Sequence, residues 1–164
     1  LQNPLTGSRV VAVLGAAQID SYGNLNSTCI GPYFQPNVRF PGSGGASDAA
    51  VFAARTMIFM KLEKRRFVKK LDYLSTPGWN SKDKGESSNH GRPEVVITDK
   101  GTFMFDEKSS RMYLSTFFPE VNPREIRKEV GFDVDISRAD EEKLPSEESL
   151  KLLREHIDPQ HLII

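Results

Sequence analysis

The chain has 164 residues, of which 22 are basic and 22 are acidic, so its formal net charge is zero. This length predicts a single domain, or a large part of one, with enough residues to bury a hydrophobic core. The balanced charge excludes a strong overall attraction to nucleic acid or to an anionic membrane, which favours a small molecule or another protein as the partner.

The composition also argues against a membrane span, a disulfide and a metal site. No apolar run approaches the roughly 20 residues of a transmembrane helix, and no charged-then-apolar leader opens the chain, which predicts a cytoplasmic protein. The single cysteine, Cys29, is expected to be a small buried hydrophobe. The three histidines, His90, His156 and His161, show no metal-ligand spacing. The chain begins at Leu1 rather than methionine, which indicates a processed, cut or incompletely represented polypeptide.

The first predicted elements form a strand, loop, helix and strand unit. Residues 9–14 and 56–60 are continuous apolar runs that predict strands buried on both faces, as in a parallel sheet. Small residues in segment 45–54 predict a closely packed helix between them, so the unit should be a crossover in a parallel sheet. The proline-containing segment 31–40 is expected to be irregular.

The second half of the sequence predicts a different style of structure. Residues 71–75 predict a short strand, and residues 80–92 predict an exposed loop that carries His90 as a surface residue. Residues 95–98, 102–105 and 111–118 then alternate in polarity, which predicts an antiparallel meander with a turn at Gly101.

Two capped helices are predicted near the end of the chain. Asn122 followed by Pro123 predicts a helix start, and this helix should end at Gly131. Residues 146–157 predict a second helix. Its apolar residues at spacings of three and four are expected to contribute to the core, namely Leu150, Leu153 and Ile157.

The glycine-rich turn at residues 41–48 is the first candidate for a binding site. Glycine takes positive φ without steric cost and lets a ligand approach the main chain. The first amides of the helix that follows have no acceptor within that helix. Backbone donors of this kind suit a phosphate, a carboxylate or the oxyanion of an acyl-transfer intermediate. A plain tight connection between strand and helix explains the same glycines equally well.

Polar side chains follow the first predicted strand and form a second candidate. They are Gln18, Asp20, Asn24 and Asn26, with a turn expected at residues 20–24. Open α/β sheets bind their ligands where buried strands end, so these side chains are candidates for ligand binding. The alternative is that each of them satisfies local backbone groups.

Two sets of cations could contact an anionic ligand. Arg39 lies at the edge of the glycine-rich turn and could bind a carboxylate or phosphate through two hydrogen bonds, although a structural pair with Asp48 is an equally simple explanation. Residues 61–70 hold six basic residues and one acidic residue. They could contact the phosphates of a nucleotide-bearing cofactor, but a solvated basic face is the default interpretation.

Five motifs make the sequence similar to the class I coenzyme A transferases: GAAQIDSYGNLNST at 15–28, RFPGSGGA at 39–46, KRRF at 64–67, TPGW at 76–79 and VITDKG at 96–101. Within this family the sequence most resembles the B subunits of glutaconate coenzyme A transferases, from about residue 8 to the C-terminus. The resemblance implies a three-layer α/β/α fold with a mostly parallel sheet and an antiparallel meander. It also implies that residues 1–164 form one domain of the B-subunit type that lacks its N-terminal part.

The resemblance further implies an activity and its partners. The family transfers CoA between an acyl-CoA and a small carboxylic acid, such as glutaconate, in a hetero-oligomer with an A subunit, and it binds no permanent cofactor. A glutamate attacks the thioester, forms an anhydride and then carries CoA as a glutamyl thioester. The glycine-rich turn is similar to the family's oxyanion site, which gives Gly44 and Gly45 a catalytic role. Gly42, Ser43 and Ala46 would then bind substrate, together with Arg39 and the segment from Gln18 to Asn26.

One feature of the family pattern is missing. The family's glutamate lies upstream of every motif matched here, and this sequence has no glutamate before Glu63. The preferred hypothesis is that the missing N-terminal part carries the nucleophile, which the start at Leu1 favours. The alternative is a relative without the nucleophile, either a subunit of a ring-opening CoA-thioester hydrolase or a non-catalytic assembly partner. The sequence does not identify the acid substrate.

Overall fold

The computed structural model describes residues 9–79 and 92–162. The strands in this part of the chain are β1 (Val11–Leu14), β2 (Gln18–Ile19), β3 (Leu25–Asn26), β4 (Cys29–Ile30), β5 (Val38–Arg39), β6 (Arg55–Phe59), β7 (Pro93–Ile97), β8 (Gly101–Phe105), β9 (Met112–Phe117) and β10 (Asp140–Glu141). The helices are α1 (Ala46–Phe52), α2 (Pro123–Glu129) and α3 (Glu147–Leu152), and a π-helical turn, Leu153–Ile157, continues α3.

Six of these strands form one mixed sheet in the order β1-β6-β7-β8-β9-β10. The strands β1, β6 and β7 run parallel, β8 is antiparallel to both of its neighbours, and β10 is parallel to β9. Three of the five pairings are therefore parallel, which confirms the predicted α/β class with an antiparallel meander. The other strands form two short antiparallel pairs, β2 with β3 and β4 with β5.

The hydrophobic core lies against one face of the sheet. Ile58, Val96, Phe103 and Leu114 are register partners across β6 to β9, and each is at most 1% exposed. Ile126 of α2 belongs to the same buried cluster. Because side chains alternate along a strand, this row defines the inner face.

The opposite face of the sheet is much more exposed. Val11 and Val13 of β1 are 49% and 63% exposed, and Phe59 of β6 is 49% exposed. The prediction that these strands are buried on both faces is therefore wrong for these residues. The reason is that the described residues leave this side of β1 and β6 uncovered.

The predicted unit at the start of the chain is present. The strands β1 and β6 are parallel neighbours with α1 between them in sequence, and α1 is shorter than predicted. The strand predicted at residues 71–75 is absent, because these residues form no ladder and the adjoining Thr76 makes only an isolated bridge with Leu25. The segment predicted to be irregular, 31–40, contains the short strand β5.

Most predictions for the second half of the chain are confirmed. The strands β7, β8 and β9 form the expected meander, and the side chain of Asn122 caps α2 by accepting from the N–H of Arg124 at 2.9 Å. The helix α2 ends at Glu129, two residues before the predicted position. Cys29 is fully buried and free, as expected. Residues 80–91 of the predicted loop, including His90, lie outside the described residues.

The last helix differs from its prediction in one respect. Ser146 caps α3 as expected, since its Oγ accepts from the N–H of Ser149 at 3.2 Å. Leu150 and Leu153 are only partly buried, however, and Ile157 is 64% exposed. The predicted core role is wrong, because no described apolar layer covers this stripe. Among the described helices, none has the length and apolar character needed to cross a bilayer.

Candidate functional site

A cavity of about 630 Å³ lies beside the residues that follow β1. It is lined by residues from segments far apart in sequence, namely Ala16, Ala17, Gln18, Ser27, Ile30, Val38, Phe40, Pro41, Gly42, Arg65 and Arg66. The short pairs β2–β3 and β4–β5 bring these segments together, because each pair folds the chain back on itself. The candidate site is therefore a product of the tertiary fold rather than of one motif.

The lining combines apolar walls with two cations. Ile30, Val38 and Phe40 provide apolar surface, and Arg65 and Arg66 are the charged residues of the lining. Small-molecule sites typically have this composition, mostly apolar with a few polar groups that fix orientation. Guanidinium groups pair well with carboxylates and phosphates. The cavity therefore suits an organic molecule that has an apolar portion and an anionic group.

Glu63 holds the two arginines in place. Its Oε2 atom accepts from Nε of Arg65 at 2.6 Å and from Nε of Arg66 at 3.3 Å. The hydrogen bond from Arg65 is the largest of the causes that lower the pKa of Glu63, so the carboxylate stays ionised. Arg66 also donates from Nη1 to the carbonyl of Ala16 at 3.5 Å. The Nη groups of Arg65 have no acceptor among the described residues, so they remain available to a ligand.

Gln18, a polar residue of the lining, makes three side-chain hydrogen bonds within the protein. It is 6% exposed, and its Oε1 accepts from Nδ2 of Asn26 at 2.7 Å and from the backbone N–H of Asp72 at 3.1 Å. Its Nε2 donates to Oδ2 of Asp72 at 2.7 Å. These contacts join the end of β2 to a segment that lies 54 residues further along the chain.

Both N–H groups of the Asn26 side chain are used within the protein, so its Nδ2 cannot donate to a ligand. Besides the bond to Gln18, its Nδ2 donates to the carbonyl of Cys29 at 2.7 Å. Its Oδ1 accepts from the N–H groups of Thr28 and Cys29 at 2.9 and 3.3 Å. Asn26 is fully buried and does not line the cavity. Its position supports Gln18 and the turn that follows β3.

Asp20 and Asn24 hold the turn between β2 and β3. Oδ1 of Asp20 accepts from the N–H groups of Tyr22 and Asn24 at 2.9 and 3.1 Å, and Oδ2 accepts from Nδ2 of Asn24 at 2.8 Å. Oδ1 of Asn24 accepts from the N–H of Gly78 at 2.6 Å. Neither residue lines the cavity, and both satisfy backbone groups as the alternative explanation predicts.

The glycine-rich turn begins at the cavity and leads away from it. Gly42 lines the cavity and donates its N–H to the carbonyl of Ser27 at 3.0 Å. The N–H groups of Ser43, Gly44 and Gly45 have no acceptor within the part of the chain that the structure describes. Gly44 has φ +50°, and a Cβ atom at Gly44 or Gly45 would meet nothing within 4 Å. The turn therefore presents unpaired backbone donors next to the cavity.

Arg39 and Ala46 are two further predicted site residues that lie outside the lining. Arg39 donates from Nη2 to the carbonyl of Tyr33 at 2.6 Å, and its guanidinium lies 4.7 Å from the centre of the Tyr33 ring. It forms no described ion pair with Asp48, so the pairing considered in the sequence is wrong. Ala46 begins α1 and donates its N–H to the carbonyl of Ser43 at 2.8 Å.

The structure thus brings together two of the predicted site residues and adds others. Gln18 and Gly42 lie in the cavity, whereas Asp20, Asn24, Asn26, Arg39, Ser43, Gly44, Gly45 and Ala46 are not part of its lining. Sequence reasoning missed the apolar walls and the role of Asp72. It identified the basic run at 61–70, but no local pattern distinguishes Arg65 and Arg66 from the neighbouring lysines. Within the described ranges, no group of histidine, cysteine and acidic side chains could bind a metal ion.

Comparison with known proteins places this site in context. A family model described as coenzyme A transferase matches residues 2–129. The chain is 45% identical over 161 residues to the B subunit of glutaconate CoA-transferase from Acidaminococcus fermentans, a match that covers 96% of this chain and 60% of that protein. It is 32% identical to the B subunit of 3-oxoadipate CoA-transferase from Pseudomonas knackmussii, with 92% and 60% covered.

A hydrolase and a solved structure are also similar to the chain. The cholesterol ring-cleaving hydrolase IpdB subunit of Mycobacterium tuberculosis is 31% identical, with 96% of this chain and 64% of that protein covered. The crystal structure of glutaconate coenzyme A-transferase from Acidaminococcus fermentans matches with a TM-score of 0.87 at 44% identity, covering 96% of this chain and 62% of that one. The chain therefore spans about three fifths of the length of the transferase subunits that it matches.

Proposed function

The chain belongs to the coenzyme A transferase family, and we propose that it is part of a B subunit that transfers CoA from an acyl-CoA to a small carboxylic acid such as glutaconate. The observation behind this proposal is the cavity, whose apolar walls and two guanidinium groups adjoin a turn with unpaired backbone donors. Both substrates of such a transfer have an acyl portion, and the free acid adds a carboxylate. CoA enters as a substrate and not as a permanently bound cofactor.

In this proposal the cavity binds the acyl portion of the substrate. Ile30, Val38 and Phe40 would contact its carbon chain, since apolar walls favour an apolar portion over water. The free Nη donors of Arg65 would bind a carboxylate of the acid or a phosphate of CoA. In this proposal only Arg65 and Arg66 of the basic run 61–70 have the predicted anion-binding role, because they line the cavity. The exposed lysines around them are solvated.

The glycine-rich turn would stabilise charge that develops during the reaction. Attack on a thioester carbonyl places negative charge on its oxygen, and donors within about 2.7–3.1 Å of that oxygen lower the barrier. The amides of Gly44 and Gly45 are proposed for this role, with Ser43 beside them. Gly44 adopts positive φ, so the turn can direct consecutive N–H groups to one side without a Cβ atom in the way.

The remaining parts of the reaction are proposed to come from outside these residues. The nucleophilic glutamate would belong to a segment that is not in this sequence, because no glutamate precedes Glu63. An A subunit is the proposed partner, since several of the similar proteins are named as B subunits. A cytoplasmic location is part of the proposal, which the single buried, unpaired cysteine favours.

A second candidate function is the hydrolytic opening of a ring in a CoA-thioester substrate. The observation that favours it is the 31% identity to a ring-cleaving hydrolase subunit over 96% of this chain. In that reaction water takes the place of the free acid and cleaves a bond of the ring, and CoA is not transferred. The glycine-rich turn would stabilise an oxyanion in both reactions, which differ in the acceptor and in the bond that is cleaved.

The test uses the complete protein that contains this chain, purified together with the A subunit. It is incubated with glutaconyl-CoA and acetate, and acetyl-CoA is measured by mass spectrometry while free CoA is measured with a thiol reagent. Formation of acetyl-CoA without free thiol supports CoA transfer. Uptake of one water by a cyclic acyl-CoA donor, seen by mass spectrometry without release of free thiol and independent of acetate, indicates the hydrolase. If neither product forms with glutaconyl-CoA or with a panel of other acyl-CoA donors, the proposed function is wrong.

A further inference from the structure

We propose that Gln18 donates a hydrogen bond to a carbonyl or carboxylate oxygen of the ligand in the cavity, and that Asp72 is the positioning residue that holds Gln18 for this task. The inference rests on the proposed function for the identity of the ligand. The ligand contact of Gln18 and the role of Asp72, which lies outside the motifs of the sequence, are new to this inference.

The side-chain amide of Gln18 has a fixed orientation. Its Oε1 receives two N–H donors, from Asn26 and from the backbone of Asp72, and its Nε2 faces the carboxylate of Asp72. If the oxygen and nitrogen were exchanged, the amide N–H groups would face the donors of Asn26 and of the Asp72 backbone. The amide oxygen would then face the carboxylate of Asp72, which cannot donate when ionised. The three contacts therefore determine which atom is the nitrogen.

One N–H of this amide is not used by the described residues. An amide nitrogen has two hydrogens, and Nε2 of Gln18 has one acceptor, Oδ2 of Asp72. Gln18 is 6% exposed and lines the cavity, so bulk water reaches its side chain only in a limited way. A buried donor without an acceptor is unfavourable. We infer that the second N–H faces the cavity and that a ligand oxygen is its partner.

The chemistry of this donor differs from that of the arginines. A neutral amide N–H binds a carbonyl or carboxylate oxygen without forming an ion pair, so it fixes orientation more than affinity. Because Oε1 is already held by two donors, Gln18 cannot offer its oxygen in place of its nitrogen. The site therefore selects an oxygen acceptor at this point of the cavity and rejects a donor there.

Asp72 can be changed without disturbing most of the network. The carboxylate of Asp72 binds Nε2, whereas its backbone N–H binds Oε1, and that N–H remains in any variant except proline. Asp72 is exposed, so its side chain contributes little to the core. Asp72→Ala thus removes one of three contacts and lets the amide plane of Gln18 rotate, while Asp72→Asn keeps an acceptor oxygen.

The kinetic test compares three variants of the complete protein with its A subunit. Asp72→Ala should lower kcat/KM roughly tenfold for the ligand whose oxygen Gln18 binds, and Asp72→Asn should restore most of it. Asp140→Ala is the matched control, since Asp140 is an exposed aspartate of β10 with no described side-chain hydrogen bond. Separate KM values for the free acid and for acyl-CoA decide which oxygen is bound. Equal kinetics for Asp72→Ala and the control would overturn the positioning role.

A second readout does not depend on activity. In ¹⁵N-labelled protein the two side-chain protons of Gln18, assigned by their loss in Gln18→Met, are followed as glutaconate or glutaconyl-CoA is added. One proton should shift with ligand while the proton bound to Asp72 stays in place. Absence of any shift with both ligands would overturn the donor role. A shift without CoA transfer or hydrolysis would leave this inference standing and contradict the proposed function.

Discussion

The backbone N–H of Gly78 donates to the side-chain oxygen of Asn24 at 2.6 Å, across 54 residues of sequence. At this contact the two chain segments approach so closely that a Cβ atom on Gly78 would lie 2.2 Å from the carbonyl oxygen of Tyr22. The N–H of Trp79 donates to that same carbonyl at 2.8 Å. The turn that precedes β3 is therefore held by the TPGW motif, which explains the glycine of that motif as a requirement for close packing.

This contact predicts that Gly78→Ala destabilises the fold. The methyl group would overlap backbone atoms, which cannot move as a flexible side chain can, so a loss of about 2–3 kcal/mol of unfolding free energy is expected. Gly45→Ala is the matched control, because its φ is −87° and the added Cβ meets nothing within 4 Å. Urea denaturation of both variants measures the difference. Equal stabilities would mean that the close approach at Gly78 is not rigid.

The oxyanion role of the glycine-rich turn predicts a catalytic defect in Gly44→Val. A β-branched residue is strongly disfavoured at φ +50°, so the turn must change shape and its amides must move. Loss of one oxyanion donor costs roughly 3 kcal/mol of barrier, or about a hundredfold in kcat. Gly45→Ala should lower kcat less severely, since alanine fits the backbone at this position and its amide stays in place. A Gly44→Val protein with normal unfolding free energy and normal turnover would refute the assignment.

The cavity predicts that two adjacent basic residues behave differently. Arg65 and Lys64 are both exposed, but Arg65 lines the cavity with free Nη donors and Lys64 lies outside the lining. Arg65→Gln should raise KM for the ligand that carries the bound anion by roughly three- to tenfold with little change in kcat, as expected for uniform binding. Lys64→Gln should leave both constants unchanged. The same KM for both variants would mean that residues 61–70 are a solvated basic face without a role in binding.

The elements that local patterns determine were predictable from the sequence. The meander of β7 to β9 follows from alternating polarity and Gly101, and α2 follows from Asn122 and Pro123. Each of these signals lies within a few neighbouring residues, so its effect on secondary structure does not depend on contacts with distant segments. Of the two segments predicted to bind ligand, Gln18 and Gly42 line the cavity, and the binding roles of both segments stay predictions.

What could not be predicted depends on contacts between distant segments. Gln18 and Asp72 are 54 residues apart, and nothing in either segment marks them as partners. The same holds for Arg65, which enters the cavity because Glu63 and the chain around Phe67 pack beside β2. The segment 71–75 has strand-like residues but forms no ladder of backbone hydrogen bonds. The chain beside it makes one isolated bridge, between Thr76 and Leu25, and side-chain contacts. The predicted burial of Val13 is wrong, because the sequence pattern of a strand does not show which layers cover that strand.

The cluster of Asp106, Asp135 and Arg138 predicts a loss of stability in acid. The N–H of Ser109, followed by the side chain of Arg138, holds the pKa of Asp106 below its ordinary value of 3.8. A carboxylate whose folded pKa is lowered contributes stability above its unfolded pKa and loses it as the pH falls through the folded value. Unfolding free energy should therefore decrease between about pH 5 and pH 2, and Asp106→Asn should flatten this slope. Asp140→Asn serves as the control, and identical slopes for both variants would contradict the role of the cluster.

Because the two faces of β6 differ in burial, substitutions at neighbouring positions should differ in their effect on stability. The prediction concerns the chain Leu1–Ile164 expressed alone. Ile58 is 1% exposed and Phe59 is 49% exposed, although the two residues are adjacent. Ile58→Thr buries a hydroxyl and removes core contacts, so it should cost roughly 2–4 kcal/mol in urea denaturation. Phe59→Thr should change unfolding free energy by less than about 1 kcal/mol and should reduce self-association in sedimentation velocity, because exposed apolar surface drives association. The isolated wild-type chain is expected to associate. A monodisperse wild-type monomer that unfolds cooperatively would show that this face needs no covering layer.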